Sequence, residues 1–178
     1  MTATQAPLPA EASPARQEKA QNGGMKQFIS FKIGEEGYAI DIMAVREIKG
    51  WTETTPLPNQ PEYILGVMNL RGIIVPVYDL RCRFGMGLTE ASRSHAIIIV
   101  SAQDRMAGLL VDAVSDILTI DSGKICPVPE AECGASADYL SGIVPVGETM
   151  VVILALDKLL VRGHGTPSSQ MSEVQQAA

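Results

Sequence analysis

The sequence predicts an all-β protein of the sandwich or barrel class, built from two related halves. Its apolar segments are short, rich in Val and Ile, and separated by residues that favour turns. Ten such segments lie between residues 25 and 162, which is more than one small sheet usually holds. Two sets of segments also recur in the same order, so we expect a pair of half-domains.

The first two predicted strands form a hairpin. Residues 28–33 alternate roughly between apolar and polar side chains, residues 34–37 turn the chain, and residues 38–42 return. Pro76 interrupts a later apolar run, and because proline lacks an N–H, we expect that strand at a sheet edge or at a bulge. The eight remaining predicted strands cover residues 45–49, 65–70, 73–78, 96–101, 106–111, 114–120, 140–146 and 150–155.

Two internal echoes favour the division into halves. Residues 42–48 resemble residues 111–117 at an offset of 69, with alanine, valine, an acid and isoleucine in the same order. A second echo relates residues 66–80 to residues 142–159, each containing a strand, a turn, a second strand and an acidic residue. The offset of this second echo drifts from 76 to 78.

The second echo also predicts two short helices. In its register Asp79 and Asp157 are equivalent, and each is expected to accept backbone N–H hydrogen bonds at a helix start. A competing register aligns residues 74–77 with residues 143–146 at an offset of 69. We favour the first register because it aligns whole elements.

Composition and charge argue against several classes of protein. Hydrophobic residues make up 46% of the 178 residues and charged residues 19%, so most of the chain is expected to fold. The net charge of −6 and the scarcity of aromatic residues argue against nucleic acid as a partner. No apolar run is long enough for a signal peptide or a membrane span, which predicts a cytoplasmic protein without direct membrane insertion.

Both ends of the chain lack hydrophobic periodicity. We expect residues 1–24 to form a disordered N-terminal tail and residues 163–178 a flexible C-terminal tail. The folded domain is then predicted over residues 25–162.

The sequence offers little for catalysis. His164 lies in the C-terminal tail, which leaves His95 as the sole candidate base of the folded domain. No Cys-x-x-Cys pair, phosphate-binding loop, nucleophile elbow or metal-binding helix motif occurs, so we expect no catalytic residue, no metal site and no cofactor. The alternative is a small cytoplasmic β-barrel enzyme or ligand-binding protein that uses His95 and nearby carboxylates.

The hairpin of residues 66–77 carries the most informative charge. Arg71 precedes Gly72 at its turn, and arginine is suited to pairing with a carboxylate. Two interpretations stay open: Arg71 is a solvated turn residue, or it is a recognition residue held on a rigid support. Glu47, on the predicted strand 45–49, is by itself an ordinary solvated charge.

Three segments carry a resemblance to a known family. Residues 47–50, 66–72 and 111–116 resemble the characteristic segments of the CheW chemotaxis coupling proteins, and the likeness runs from about residue 28 to about residue 160. The resemblance implies two interleaved SH3-like five-stranded β-barrels packed together, with short helices. It also implies a protein without enzymatic activity that couples the histidine kinase CheA to the cytoplasmic tips of methyl-accepting chemoreceptors.

The resemblance also implies a setting for the protein. The length leaves no room for a kinase or receiver domain, so we expect a stand-alone adaptor for signal transduction, recruited to membrane-associated chemoreceptor arrays. We expect it to be monomeric or weakly self-associating. A chemosensory pathway with another output, such as surface motility, is an alternative setting.

Carried over by position, the resemblance assigns two sets of binding residues. The receptor-facing groove would contain Val45, Glu47, Ile48, Gly66, Arg71, Gly72 and Leu109. The regulatory domain of CheA would contact His95, Ala96 and Val114. Ala131 stands where relatives carry a bulky apolar residue, and this departure weakens the expectation of a second kinase contact there.

Overall fold

The fold consists of short strands with two single-turn helices, in a computed structural model that describes residues 24–129 and 138–160. The strands are β1 (Met25–Ile33), β2 (Glu36–Asp41), β3 (Val45–Gly50), β4 (Ile64–Leu70), β5 (Ile73–Asp79), β6 (Ala96–Ala102), β7 (Arg105–Val111), β8 (Ala113–Asp121), β9 (Leu140–Val146) and β10 (Thr149–Leu154). The helices are α1 (Leu80–Arg83) and α2 (Leu156–Leu159), and short 3₁₀ turns cover Ile42–Ala44 and Ser122–Lys124. All ten predicted strands are confirmed. Apart from Gly24, the two predicted tails lie outside the described residues.

The strands form two five-stranded sheets of the same design. Barrel A has the strand order β8-β1-β2-β10-β9, and barrel B has the order β3-β6-β7-β5-β4. Each sheet contains one parallel pair, β2 with β10 or β7 with β5, and its other neighbours are antiparallel. Barrel B is one continuous stretch of chain inserted between the two parts of barrel A.

A single bridge brings the edge strands of each sheet together. After β8 the chain bonds Cys126 to Ile143 of β9, and after β3 it bonds Thr55 to Val67 of β4. Within the described residues the edges do not pair along their length, so each sheet is an SH3-like barrel with a partly open seam. The prediction of an all-β fold with two such barrels packed together is confirmed.

The first internal echo is confirmed by the strand pairing. Ile48 of β3 lies opposite Ile98 of β6, and Ile117 of β8 lies opposite Ile29 of β1. Ile48 and Ile117 are 69 residues apart in sequence, and their partners Ile29 and Ile98 are also 69 residues apart. A register shift follows at the same place in each pair, next to Val45 in barrel B and to its equivalent in barrel A. The repeat therefore includes the same register shift in both barrels. A shared irregularity of this kind shows that the two segments are structurally equivalent and not only similar in sequence.

The second echo holds at an offset of 76 throughout. Tyr63 O accepts a hydrogen bond from Asp79 N at 2.8 Å, and Tyr139 O accepts the same bond from Ala155 N at 2.8 Å. The expected drift to 78 is therefore wrong, and so is the capping role of Asp157. Ala155 is the N-cap of α2 and makes no side-chain capping bond, whereas Asp157 lies in the first turn. An acidic residue at the N-cap and an acidic residue in the first turn both favour a helix N-terminus, so the sequence pattern does not distinguish these two positions.

Pro76 lies inside a sheet without disrupting it. Its strand, β5, is not an edge strand, so that alternative is wrong. The other expected alternative, a bulge, agrees with a register shift in the β4–β5 pair between the Ile64–Tyr78 and Gly66–Val77 partners, beside Pro76. Val67 of β4 lies opposite Pro76 of β5, but its N–H and C=O groups form hydrogen bonds with Thr55 on the other side. The Val67–Pro76 pair therefore needs no hydrogen bond. On the other side the β7 partner begins only at Val77. Pro76 therefore lies just before the pairing of β5 with β7 begins, so its missing N–H costs no hydrogen bond between these strands.

Three apolar clusters stabilise the two barrels. The interior of barrel B contains Met68, Leu70, Val75, Val77, Ile97, Ile99 and Leu110. The interior of barrel A contains Phe28, Ala39, Ile120, Val144, Val151 and Ile153. A third cluster lies between the barrels, where β1 and β2 face β6 and β7, and it includes Ile29, Phe31, Ile40, Ile98, Val100 and Leu109. Neighbouring residues of one strand serve different clusters because side chains alternate across a strand.

Candidate functional site

The β4–β5 turn holds Arg71 against a carboxylate on the opposite edge of barrel B. Arg71 (φ 52°) and Gly72 (φ 88°) both take left-handed backbone conformations, which suit a two-residue hairpin loop. Asn69 Oδ1 accepts a hydrogen bond from Gly72 N at 2.7 Å and braces the turn. Arg71 Nη2 donates to Glu47 Oε2 at 3.0 Å, so an ion pair connects the hairpin tip with β3.

This ion pair lies at the seam of barrel B, beside exposed apolar side chains. Its strands, β3 and β4–β5, approach there from opposite edges of the sheet. The Arg71 side chain is 82% exposed and that of Glu47 is 27% exposed. Ile48 and Ile73, the neighbours of Glu47 and Gly72 in sequence, are 44% and 52% exposed. A charged pair beside exposed apolar area is a composition suited to protein recognition.

At the equivalent positions of barrel A, the described residues form no such pair. Asp116 occupies the position of Glu47, and Gly147 occupies that of Arg71. Gly147 takes a similar backbone conformation (φ 62°), which glycine adopts readily and arginine adopts at a cost. The turn geometry therefore favours glycine, and neither turn nor barrel requires the arginine.

Two predicted receptor-groove residues are buried. Gly66 (φ 144°) lies where the Thr55 bridge crosses β4, and a Cβ at this position would overlap the Thr55 carbonyl oxygen. At the equivalent Gly142 of barrel A, a Cβ would overlap the Ile125 side chain and lie 3.0 Å from the Cys126 carbonyl oxygen. Leu109 is 0% exposed in the cluster between the barrels, so a direct contact of Leu109 with a partner is incompatible with this structure. Gly66 therefore supports the seam from within, at the bridge between its edges.

The three predicted kinase-contact residues lie around the crossing from barrel B to barrel A. Ala96 begins β6 and pairs with Gly50 and Val111, and His95 directly precedes it. Val114 is the second residue of β8 and lies opposite Phe31. His95, Ala96 and Val114 are all half-buried. Ala131 lies outside the described residues.

Asp112 is the polar centre of this region. Its carboxylate accepts hydrogen bonds from Gly34 N (2.5 Å) and from Arg81 Nη2 (2.6 Å), and Oδ1 lies 3.5 Å from His95 Nε2. Burial alone would raise the pKa of Asp112, but the bond from Gly34 and the Arg81 and His95 charges outweigh it and lower the pKa. The other ring nitrogen of His95 accepts a bond from Ser92 N at 3.1 Å.

This geometry argues against the enzyme alternative. Both nitrogens of His95 already face protein partners, and its carboxylate neighbour is held by two other donors. A cavity of about 550 Å³ on barrel B is lined by neither His95 nor a carboxylate, and its charged lining residue is Arg105.

Among residues 24–129 and 138–160, no three His, Cys, Asp or Glu side chains are placed to hold a metal ion. The described helices include none that is long and apolar enough to cross a membrane.

Sequence reasoning missed the two arginines of α1. Arg81 binds Asp112, and the Arg83 guanidinium lies over the Tyr63 ring at 3.9 Å and over the Tyr139 ring at 4.7 Å. The two tyrosines are equivalent at the offset of 76, but both lie outside the residues of the second echo, which therefore did not mark this site.

Comparison with known proteins identifies the family. The CheW-like domain family matches residues 27–163. The chemotaxis protein CheW of Rhizobium meliloti is 41% identical over 138 residues, which is 78% of this chain and 88% of that protein. The CheW of Klebsiella aerogenes is 38% identical over 135 residues, covering 76% of this chain and 81% of that protein.

A solved structure agrees with these sequence matches. The scaffolding protein TtCheW of Thermoanaerobacter tengcongensis is 36% identical with a TM-score of 0.69, and the match covers 77% of this chain and 88% of that one. The family match and the fold agree. The chain therefore belongs to the CheW family of chemotaxis scaffold proteins and is not an enzyme.

Proposed function

We propose that this chain couples the histidine kinase CheA to the cytoplasmic tips of methyl-accepting chemoreceptors, at membrane-associated arrays in the cytoplasm. Its receptor face is the seam of barrel B, formed by Val45, Glu47, Ile48, Arg71 and Gly72. Gly66 supports this face from within, at the Thr55 bridge, whereas Leu109 lies in the cluster between the barrels. Its kinase face lies near the crossing between the barrels, at His95, Ala96 and Val114.

The observation that carries this proposal is the Glu47–Arg71 ion pair. It is present in barrel B and has no counterpart in barrel A, where the same turn uses Gly147. The backbone conformation of the turn disfavours arginine, and barrel A forms the same turn without one. A contact with another protein is therefore the best explanation for Arg71. Beside the exposed Ile48, the pair offers a receptor helix both an apolar surface and a charged partner.

The energy of the pair depends on whether a partner covers it. An exposed ion pair contributes roughly 0–1 kcal/mol to folding, because solvent screens it and ordering the side chains costs entropy. A charge-assisted contact that a partner desolvates costs on the order of 2–5 kcal/mol when one side is truncated. Arg71 at 82% exposure belongs to the first class in the free protein. Receptor binding would move it into the second.

Charge reversal at Arg71 tests the proposal. Arg71→Glu should leave the melting temperature nearly unchanged while weakening the binding of a receptor-tip fragment and the recruitment of the kinase regulatory domain to that receptor. Arg105→Glu is the matched control, since Arg105 is also an exposed arginine near a turn of barrel B. Native receptor affinity in a folded Arg71→Glu variant would show that Arg71 is only a solvated turn residue.

A charge swap separates the internal pair from the external contact. Combining Arg71→Glu with Glu47→Arg restores an opposite-charge pair at the seam. If the receptor contacts Arg71 itself, the swap should not recover its affinity. Full recovery would mean that the pair acts inside barrel B, and the direct contact would then be withdrawn. Strict competition between receptor fragment and kinase domain for one site would refute the coupling model.

A further inference from the structure

The two barrels are held together mainly by apolar packing. Ile29 and Phe31 of barrel A and Ile98 and Leu109 of barrel B belong to one continuous cluster between them. Hydrophobic attraction has little directional character, whereas charge-assisted hydrogen bonds fix the positions of particular atoms. Directional contacts across this interface therefore specify an orientation that apolar area alone defines loosely.

Arg81 makes one of these directional contacts. It extends from α1 of barrel B to Asp112, and the bond between Arg81 Nη2 and Asp112 Oδ2 is 2.6 Å long. Asp112 is in turn attached to barrel A, since its backbone N–H donates to Lys32 O at 3.0 Å and its carboxylate accepts from Gly34 N. The ion pair thus joins α1 to the β1–β2 hairpin of the other barrel.

Arg83, two residues further along α1, makes the second directional contact. Its guanidinium lies between the rings of Tyr63 and Tyr139, at 3.9 and 4.7 Å. Tyr63 immediately precedes β4 of barrel B, and Tyr139 immediately precedes β9 of barrel A. One planar cation therefore contacts equivalent points of both barrels, and cation–π attraction favours this arrangement.

The helix that carries both arginines is itself firmly held. Asp79 is 0% exposed, and its Oδ1 accepts bonds from Cys82 N (3.2 Å) and Thr89 Oγ1 (2.7 Å). Its other oxygen accepts from Thr89 N at 2.7 Å. The equivalent helix α2 lacks a side-chain cap and carries Leu159 where α1 carries Arg83. Of these two equivalent helices, only α1 has the side-chain cap and the two arginines.

We propose that Arg81 and Arg83 are positioning residues that lock the orientation of barrel A relative to barrel B. If the two binding faces lie as proposed above, the same lock fixes the kinase face relative to the receptor face. Only this last consequence rests on the proposed function.

The lock should contribute more to orientation than to stability. Among the described residues, the Nε atoms of Arg81 and Arg83 are buried without a hydrogen-bond partner. Such an atom retains its desolvation cost, and Arg83 forms no ion pair with a described residue, so its removal leaves no carboxylate unpaired there. Arg83→Met is therefore expected to fold with a melting temperature close to that of the parent.

Residual dipolar couplings of the backbone amides test the lock without any partner. In the parent protein, one alignment tensor should fit the couplings of both barrels. In the Arg81→Met, Arg83→Met double variant, each barrel should still fit its own tensor, but the two tensors should differ in magnitude or direction. Arg93→Met, which replaces an exposed arginine on the loop before β6, should retain the common tensor.

A common tensor in the folded double variant would overturn the proposal. If the double variant does not fold, the test uses Arg83→Lys, which keeps the charge but lacks the planar group that stacks on both rings. Arg83→Lys should show a smaller divergence of the two tensors, and a common tensor there would equally refute the lock.

Binding assays connect the lock to coupling. In folded double-variant protein, the separate affinities for receptor fragment and kinase domain should stay native. Recruitment of the kinase domain by receptor-bound protein should fall roughly 5-fold or more, at the lower end of typical coupling between sites. Diverging tensors with native recruitment would confirm the lock and remove its proposed role in coupling. A parent protein that binds neither partner would refute the proposed function and leave the lock intact.

Discussion

Leu109 offers a quantitative test of the assignment of a predicted receptor residue to the packing between the barrels. The side chain is 0% exposed in the cluster between the barrels, so truncation leaves a cavity there. Leu→Ala substitutions in well-packed cores cost about 2.7–5 kcal/mol, depending on how far the site collapses. In a protein of this size, each kcal/mol lowers the melting temperature by about 2–4 °C, so Leu109→Ala should melt roughly 5–20 °C below the parent.

The assay is urea unfolding followed by two probes. Trp51, the only tryptophan, packs against the interior cluster of barrel B and reports on that barrel, while far-ultraviolet circular dichroism reports on all strands. Ile48→Ala is the control, because Ile48 is 44% exposed and its truncation leaves no closed cavity. Receptor affinity per folded Leu109→Ala molecule should stay near native, whereas Ile48→Ala should weaken it. An unfolding free energy for Leu109→Ala within about 0.5 kcal/mol of the parent would refute the reasoning, since that is the range of a surface substitution.

Two further predictions concern the backbone of barrel B and the acid limb of stability. Gly66→Ala should destabilise the fold by more than 1 kcal/mol, because the new Cβ would overlap the Thr55 carbonyl and the φ of 144° suits only glycine. Gly72→Ala is the control and should cost less, because there is open space around Gly72. Equal melting temperatures for the two variants would contradict this prediction. The lowered pKa of Asp112 means that its contribution to stability is present above the unfolded-state pKa of about 3.9 and is lost as pH falls through the folded-state pKa. Asp112→Asn should therefore be less stable than the parent near pH 7, and urea titrations should show the difference shrinking below about pH 4; a difference that stays constant down to pH 2 would exclude the linkage.

The strands were predictable because each is a short Val- and Ile-rich run bounded by turn residues. The Arg71 turn was also accessible from the hairpin pattern, and the family resemblance assigned Arg71 and Glu47 to one groove. The burial of Leu109 was not accessible. In β7 almost every residue is apolar, and a strand buried on both faces shows no alternation that tells an interior side chain from one between the barrels.

The α1 contacts escaped prediction for a different physical reason. Arg81 and Arg83 look like solvated basic residues at the end of a one-turn helix, where positive charge is favourable in any case. Their partners, Asp112 and Tyr139, lie tens of residues away, and only the tertiary arrangement brings them together. The error at Asp157 arose because an acid in the first turn and an acid at the cap give the same pattern.

The insertion of barrel B into barrel A sets the order in which the chain can fold during synthesis. The strands of barrel B, β3 to β7, leave the ribosome as one uninterrupted unit, and their mutual contacts close comparatively short loops. The β1–β2 hairpin must wait for β8 and β10, so its apolar faces stay uncovered while all of barrel B is being made. Barrel B should thus nucleate first and present β6 and β7 as a template on which β1 and β2 dock. The first and last strands of the fold, β1 and β10, then both belong to barrel A, while Leu160, just after α2, lines a cavity together with Ile74 and Pro76 of the Arg71 hairpin.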